Sequence, residues 1–163
     1  MVYAIDFGVA TSFDGSDAEE DRDDIFVPFG GTARYASLRS HAGLQQSWGD
    51  DLESVGYMLV YFARGSLPWQ GLQAETDAEL KDKIGEMKAS MSVKELCRDL
   101  PDEFAEYIDY TRSLPYGKKP DYNRLQTRFR RLFTRMGFKY NKVFDWTERL
   151  FNELQDGHRN AAV

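Results

Sequence analysis

Cysteine is nearly absent from this sequence. Cys97 is the only one in 163 residues, so no intrachain disulfide forms and nothing marks an oxidising compartment. A reducing cytoplasm or nucleus is the expected setting. Long apolar runs are absent too, and Asp6 interrupts the first residues before the apolar region of a signal peptide develops. There is no basic excess, with 21 Lys and Arg against 27 Asp and Glu and a net charge of −6. That balance argues against a nucleic acid or an anionic membrane held by general electrostatics, so neither is an expected partner. What is present is globular in composition: 42% hydrophobic and 14% aromatic residues, enough for one domain with a core.

Val2 to Ile5 is short and β-rich, and reads as a buried strand whose pairing partner is not in the sequence, leaving an exposed edge. Between Ser12 and Asp24, seven carboxylates (Asp14, Asp17, Glu19, Glu20, Asp21, Asp23 and Asp24) face a single base, Arg22. With almost nothing apolar to bury, this stretch is expected to be a mobile acidic loop. Ser12 and Ser16 sit among those carboxylates, either as modification sites or simply as solvated loop residues.

Downstream the signals are helical. Asp50 and Asp51 are expected to open a helix as N-cap and first-turn carboxylate. Leu52, Val55, Tyr57, Met58, Leu59, Val60, Tyr61 and Phe62 then leave so little polar surface that the helix belongs at the centre of a core, with Gly65 as its stop. Thr76-Asp77-Ala78-Glu79 has the form of a capping box and predicts a helix to about Lys88, and Ser92-Val93-Lys94-Glu95 repeats the device. Pro101 precedes a helix with Phe104, Tyr107, Ile108 and Thr111 on one face. A last amphipathic helix starts near Asp121, with Tyr122, Leu125, Phe129, Leu132, Phe133 and Met136 on one stripe and Gly137 as its stop. Arg124, Arg128, Arg130, Arg131 and Arg135 lie on that helix, as a solvated face or as a nucleic-acid or import patch, the acidic balance elsewhere favouring the first.

Several strings carry more specific information. Ile5-Asp6-Phe7-Gly8 is followed by Gly31-Thr32-Ala33-Arg34-Tyr35-Ala36-Ser37, then by Asp50-Asp51-Leu52-Glu53-Ser54-Val55-Gly56 and Gly65-Ser66-Leu67-Pro68-Trp69-Gln70-Gly71. Arg112-Ser113-Leu114, Lys119-Pro120-Asp121-Tyr122 and Val143-Phe144-Asp145-Trp146 complete the series. Asp-Phe-Gly alone is weak, but the ordered set resembles the casein kinase I family of serine/threonine protein kinases from Val2 to about Trp146. Tau-tubulin and vaccinia-related kinases are the nearest competitors for that resemblance.

The resemblance implies a mainly α fold: a kinase C-terminal lobe with a short β remnant at its start, the N-terminal lobe being absent. It implies an activation segment over 6–38, a helical subdomain over 50–146 and a tail over 147–163. By the same resemblance Asp6 is the magnesium ligand, Ile5 and Asp6 lie at the nucleotide, Thr32 and Arg34 bind the peptide substrate, and Asp51 and Arg112 are structural. An arginine fork suits a phosphate or carboxylate because it forms two parallel charge-assisted bonds. Bracing of the acidic loop at Asp23 or Asp24 is the other reading of Arg34. The partner of Arg112 is open, because Ser37-Leu38 stands where most kinases carry Pro-Glu. His41 is followed by Ala42-Gly43 and is read as structural.

Departures from the family concern the anion clamp. The stretch from Gln73 to Leu80 holds Glu75, Asp77 and Glu79 where relatives carry bases, and Ser47-Trp48-Gly49 replaces a basic pair. Preference for acidic or primed substrates is therefore an open question. In kinase chain order the glycine-rich loop, the strand lysine and the His-Arg-Asp loop precede Asp-Phe-Gly, and these 163 residues contain none of them. Mg²⁺ and ATP are accordingly expected of a full-length parent and not of this chain alone. Two functions remain: part of a kinase that transfers the ATP γ-phosphoryl group to protein hydroxyls, or a noncatalytic docking module. The expected partners are protein substrates or docking peptides. Exposed apolar surface on the cleft side is a further expectation.

Overall fold

The computed structural model describes residues 6–13, 26–141 and 143–160. The expected strand at Val2–Ile5 and the acidic loop from Asp14 to Asp24, with Ser16, lie outside them, and so does Ile5. The described chain is mainly helical, as its periodicity predicts. Helices α1 (Leu38–His41), α2 (Trp48–Arg64), α3 (Asp77–Ser90), α4 (Val93–Leu96) and α5 (Asp102–Ser113) are followed by α6 (Tyr122–Arg135) and α7 (Asp145–Asn160). Phe26 and Leu44 form an isolated antiparallel bridge, at which Val27 N–H donates to Gly43 O at 2.7 Å. The chain divides into two compact units, residues 1–126 and 127–163.

In the first unit, α2 packs on α5, and α4 also rests on α5. Gly49, Asp50, Glu53, Gly56, Tyr57 and Val60 make the buried stripe of α2, and Tyr107, Ile108 and Thr111 that of α5. Tyr57, Val60 and Ile108 are fully buried, each contributing roughly 1.5–3 kcal/mol relative to an exposed side chain. Tyr107 O–H donates to Leu52 O at 3.0 Å and so fixes the crossing. The opposite stripe, Asp51, Val55, Met58 and Phe62, is exposed, Phe62 by 71%. One face of α2 therefore stands at the core and the other, in the described residues, does not.

The caps follow local chemistry. Thr76 Oγ1 accepts from Glu79 N–H at 3.2 Å, and Ser92 Oγ accepts from Glu95 N–H at 3.2 Å, as both sequence patterns predict. The Glu79 carboxylate reaches back to the Glu75 amide, one residue before the cap. At α2 the expectation needs correction. The helix starts at Trp48, Ser47 is its N-cap, and Asp50 sits at the third helical position with Oδ2 accepting from Ser47 N–H at 2.7 Å. A carboxylate at that place closes the box from inside the helix, so neither Asp50 nor Asp51 is the cap.

In the second unit, Phe133 and Phe138 meet beside the left-handed Gly137 that ends α6. Helix α7, which the sequence reading left as a tail, carries Trp146, Leu150, Phe151 and Leu154 exposed, and the Phe144 and Trp146 rings stack at 4.5 Å.

Gly56 tests the α2–α5 packing. A Cβ there would lie 3.1 Å from both Ile108 and Tyr107 side chains, one fully buried and the other tied to Leu52. Overpacking of about 1–3 kcal/mol outweighs the roughly 1 kcal/mol helix-propensity gain of alanine. Gly56→Ala is thus expected to lower the thermal midpoint; a rise would show that the two helices yield.

Candidate functional site

The residues between Gly31 and Ser37 form an exposed loop whose backbone is held from outside. Thr32 O accepts from the amides of Tyr35, at 3.0 Å, and Ala36, at 3.2 Å, which closes a turn. Trp69 Nε1–H donates to Arg34 O at 2.8 Å, and the Lys88 ammonium donates to Ala33 O at 2.8 Å and Ala36 O at 2.7 Å. Four carbonyls of this loop are thereby occupied, while the side chains of Thr32 and Arg34 are exposed. The Arg34 guanidinium lies 5.9 Å from the Tyr35 ring centre. Its alternative partners, Asp23 and Asp24, fall outside the described residues.

Sequence reasoning did not single out Lys88, Glu53 or Tyr57, yet they form the layer beneath the loop. Lys88 is completely buried. Its Nζ lies over the faces of Tyr57, at 4.6 Å, and Trp69, at 4.9 Å, rings that meet edge to face. Burial draws the Lys88 pKa down to about 7, with Glu53 opposing the fall and Arg112 adding to it. The two carbonyls and two ring faces act with Glu53, because each stabilises the cation. Position 88 at the end of a capped helix was legible; an ammonium turned inward was not, since surface lysines are the rule.

Glu53 organises the neighbouring helices. Oε1 accepts from Tyr57 O–H at 2.5 Å and from Arg112 Nε–H at 3.1 Å, and Oε2 accepts from Leu38 N–H at 3.3 Å. Arg112 also donates to the Tyr57 oxygen at 2.8 Å. This answers the open question about Arg112: its carboxylate comes from α2, and the same carboxylate takes the first amide of α1. Burial, reinforced by the neighbouring Glu53 carboxylate, pushes the Tyr57 phenol far above its usual range, so it serves as a donor. Asp50 adds a second tie, accepting from Ser37 O–H at 2.7 Å, while Ser37 Oγ caps α1 by accepting from Ser40 N–H.

His41 packs on Gly85, where a Cβ would come within 3.0 Å of its ring. Its Nε2 lies 3.3 Å from Lys88 Nζ and 3.2 Å from Ala33 O. Burial and the Lys88 charge lower its pKa to about 4.

The other expected site residues stand apart. Asp6 is exposed at φ 61°, with Oδ1 accepting from Gly8 N–H at 3.2 Å, and Phe7 O begins the turn that follows. Among the described residues Asp6 alone does not complete a magnesium site. The ion demands an octahedral oxygen shell, usually shared with phosphates and a second protein ligand. Asp6 offers one carboxylate, and no group of three His, Cys, Asp or Glu side chains converges among the described residues. Asp51 is exposed on α2, next to the buried Asp50. No helix among the described residues is long and apolar enough to cross a membrane. No protein-family model matches this chain.

Breaking the buried pair should be costly. Arg112→Met leaves Glu53 uncompensated and is expected to lose about 3 kcal/mol in denaturant unfolding, whereas Arg112→Met with Glu53→Gln should regain part of that. Equal losses in the single and double variants would mean that the charge is not what matters. His41 supplies a pH test. Its folded pKa lies below the unfolded value of 6.5, so its contribution is present above pH 6.5 and lost as pH falls through about 4. The thermal midpoint of the unmodified chain should fall more steeply over that window than that of His41→Gln; parallel curves would remove His41 from the account.

Proposed function

We propose that this chain is the helical C-terminal-lobe portion of a casein kinase I-like serine/threonine protein kinase, whose parent passes the ATP γ-phosphoryl group to protein hydroxyls. The ordered series of motifs from Asp6-Phe7-Gly8 to Phe144-Asp145-Trp146 supports this reading. The observation that carries it is the loop: the stretch resembling a kinase substrate platform is a turn whose carbonyls are anchored from outside while the Thr32 and Arg34 side chains stay exposed. An anchored backbone that leaves Thr32 and Arg34 exposed suits peptide docking, because little further backbone ordering is required on binding. Arg34 is the residue to receive a phosphate or carboxylate of the peptide, and Thr32 a hydrogen-bonding residue beside it.

Phosphoryl transfer is positioning and electrostatics assembled around nucleotide, metal and hydroxyl together. Asp6 brings one element of that assembly. The noncatalytic docking module remains the second reading, favoured by the order of the loop.

Two measurements separate these readings. The homogeneous 163-residue chain is expected to show no ATP·Mg²⁺-dependent thermal shift and no transfer to casein. Joined behind a casein kinase I polypeptide that ends just after its catalytic loop, the chain should phosphorylate casein. Asp6→Asn should then reduce the rate by about a hundredfold or more, the scale of a lost charge-stabilising contact. A chimera that folds and binds ATP yet stays inert, while the chain still captures acidic peptides, would favour the docking module.

A further inference from the structure

We propose that Lys88 is the positioning residue of the docking loop: its ammonium, held between the Ala33 and Ala36 carbonyls and the His41 ring, sets the turn that presents Arg34 outward as an anion receptor. The claim rests on the reading of Thr32–Ala36 as a peptide-docking loop for its function, though not for its structural part.

The loop has almost no means of holding itself. Ala33 and Ala36 have no side chain that could anchor it, and the Thr32 and Arg34 side chains point to solvent. Its own contribution is one turn closed on Thr32 O. From other segments, Trp69 and Lys88 hold its carbonyls, Trp69 at Arg34 O and Lys88 on either side, while the Tyr35 ring meets Tyr61 of α2 edge to face. A lysine ammonium has three N–H donors and no acceptor. Two are used on carbonyls three residues apart, and the third reaches His41 Nε2 at 3.3 Å in the tautomer that carries its proton on Nδ1. One compact cation thus ties both ends of the Ala33–Ala36 arc to the body of α3.

Its surroundings make the tie conditional on charge. Facing the pair from α2 are Glu53 and Tyr57, from α5 Arg112, from the loop beyond α2 Trp69, and from α3 Lys81. Only one proton can lie between Lys88 Nζ and His41 Nε2. Protonating the ring sets two cations against each other and removes the third acceptor, while removing the Lys88 proton takes away a donor. The loop is therefore held most firmly with Lys88 charged and His41 neutral.

Hydrogen exchange by NMR tests this on the 163-residue chain. In Lys88→Met, which keeps the volume and loses the donors, the amides of Tyr35 and Ala36 should exchange at least about tenfold faster, the scale of a hydrogen bond to a charged group. The Tyr57 to Val60 amides of α2 should be unchanged relative to the unmodified chain. A fluorescein-labelled phosphoserine peptide should bind the variant more weakly by a comparable factor. Unchanged loop exchange, or a uniform acceleration across loop and α2, would overturn the proposal. Should Lys88→Met fail to fold, lysine-selective ¹⁵N spectra of the unmodified chain decide. Slowly exchanging Lys88 ammonium protons coupled to the Ala33 and Ala36 carbonyl carbons are expected, and a freely exchanging ammonium would overturn it. An unmodified chain that holds the loop as described but does not bind the peptide would sink the docking reading and leave the Lys88 anchor standing.

Discussion

The Glu53 carboxylate is the constraint on which the rest of the first unit depends. It is buried in α2, and burying a charge costs several kcal/mol unless its lone pairs are satisfied. Three partners satisfy it: the Tyr57 hydroxyl on its own helix, Arg112 from α5, and the Leu38 amide from α1. Apolar packing alone would tolerate sliding of α5 along α2, since dispersion has little preferred direction. A carboxylate shared by three donors from three elements does not allow it. Such a pair adds little net stability over an apolar replacement but penalises every arrangement that leaves it incomplete.

The consequences reach the surface in two steps. Tyr57, oriented by Glu53 and Arg112, presents its ring to Lys88, and Trp69 closes the cage from the other side. Lys88 then holds the loop that Arg34 occupies. No link in this sequence of contacts is apolar alone or ionic alone. The aromatic faces keep water away from the ammonium, which strengthens its bonds to the two carbonyls, and the same dryness pulls the Lys88 pKa towards neutrality. The loop therefore gains a rigid anchor whose strength varies with pH.

How much of this the sequence disclosed depended on range. Thr76 and Ser92 were legible as caps because the donor and acceptor lie three residues apart, and Gly65 and Gly137 as stops because a left-handed residue is a local event. The start of α2 was misread by a turn: Asp50-Asp51 is a strong capping signal, and it obscured Ser47, whose relation to Asp50 is the box itself. Helix α7 was overlooked although Trp146, Leu150 and Leu154 recur every four residues, a period visible without coordinates. Arg112 was flagged without its partner because Glu53 is 59 residues away. Lys88 gave no sign at all, since a lysine facing inward looks the same in a sequence as one facing out.

Helix α2 departs from an ordinary surface helix in carrying apolar residues on both faces, with two carboxylates among the buried ones. Its buried stripe carries Asp50 and Glu53, and its exposed stripe carries Val55, Met58 and Phe62 beside Asp51. Amphipathic packing normally turns the apolar face inward. The arrangement is costly here, because Phe62 forgoes roughly 1.5–3 kcal/mol of burial while Glu53 requires three donors to be tolerated. A helix hydrophobic nearly all round, with its few polar groups committed to fixed partners, has the composition of one packed on more than one side. In this chain the face that carries Asp51 is the uncovered one.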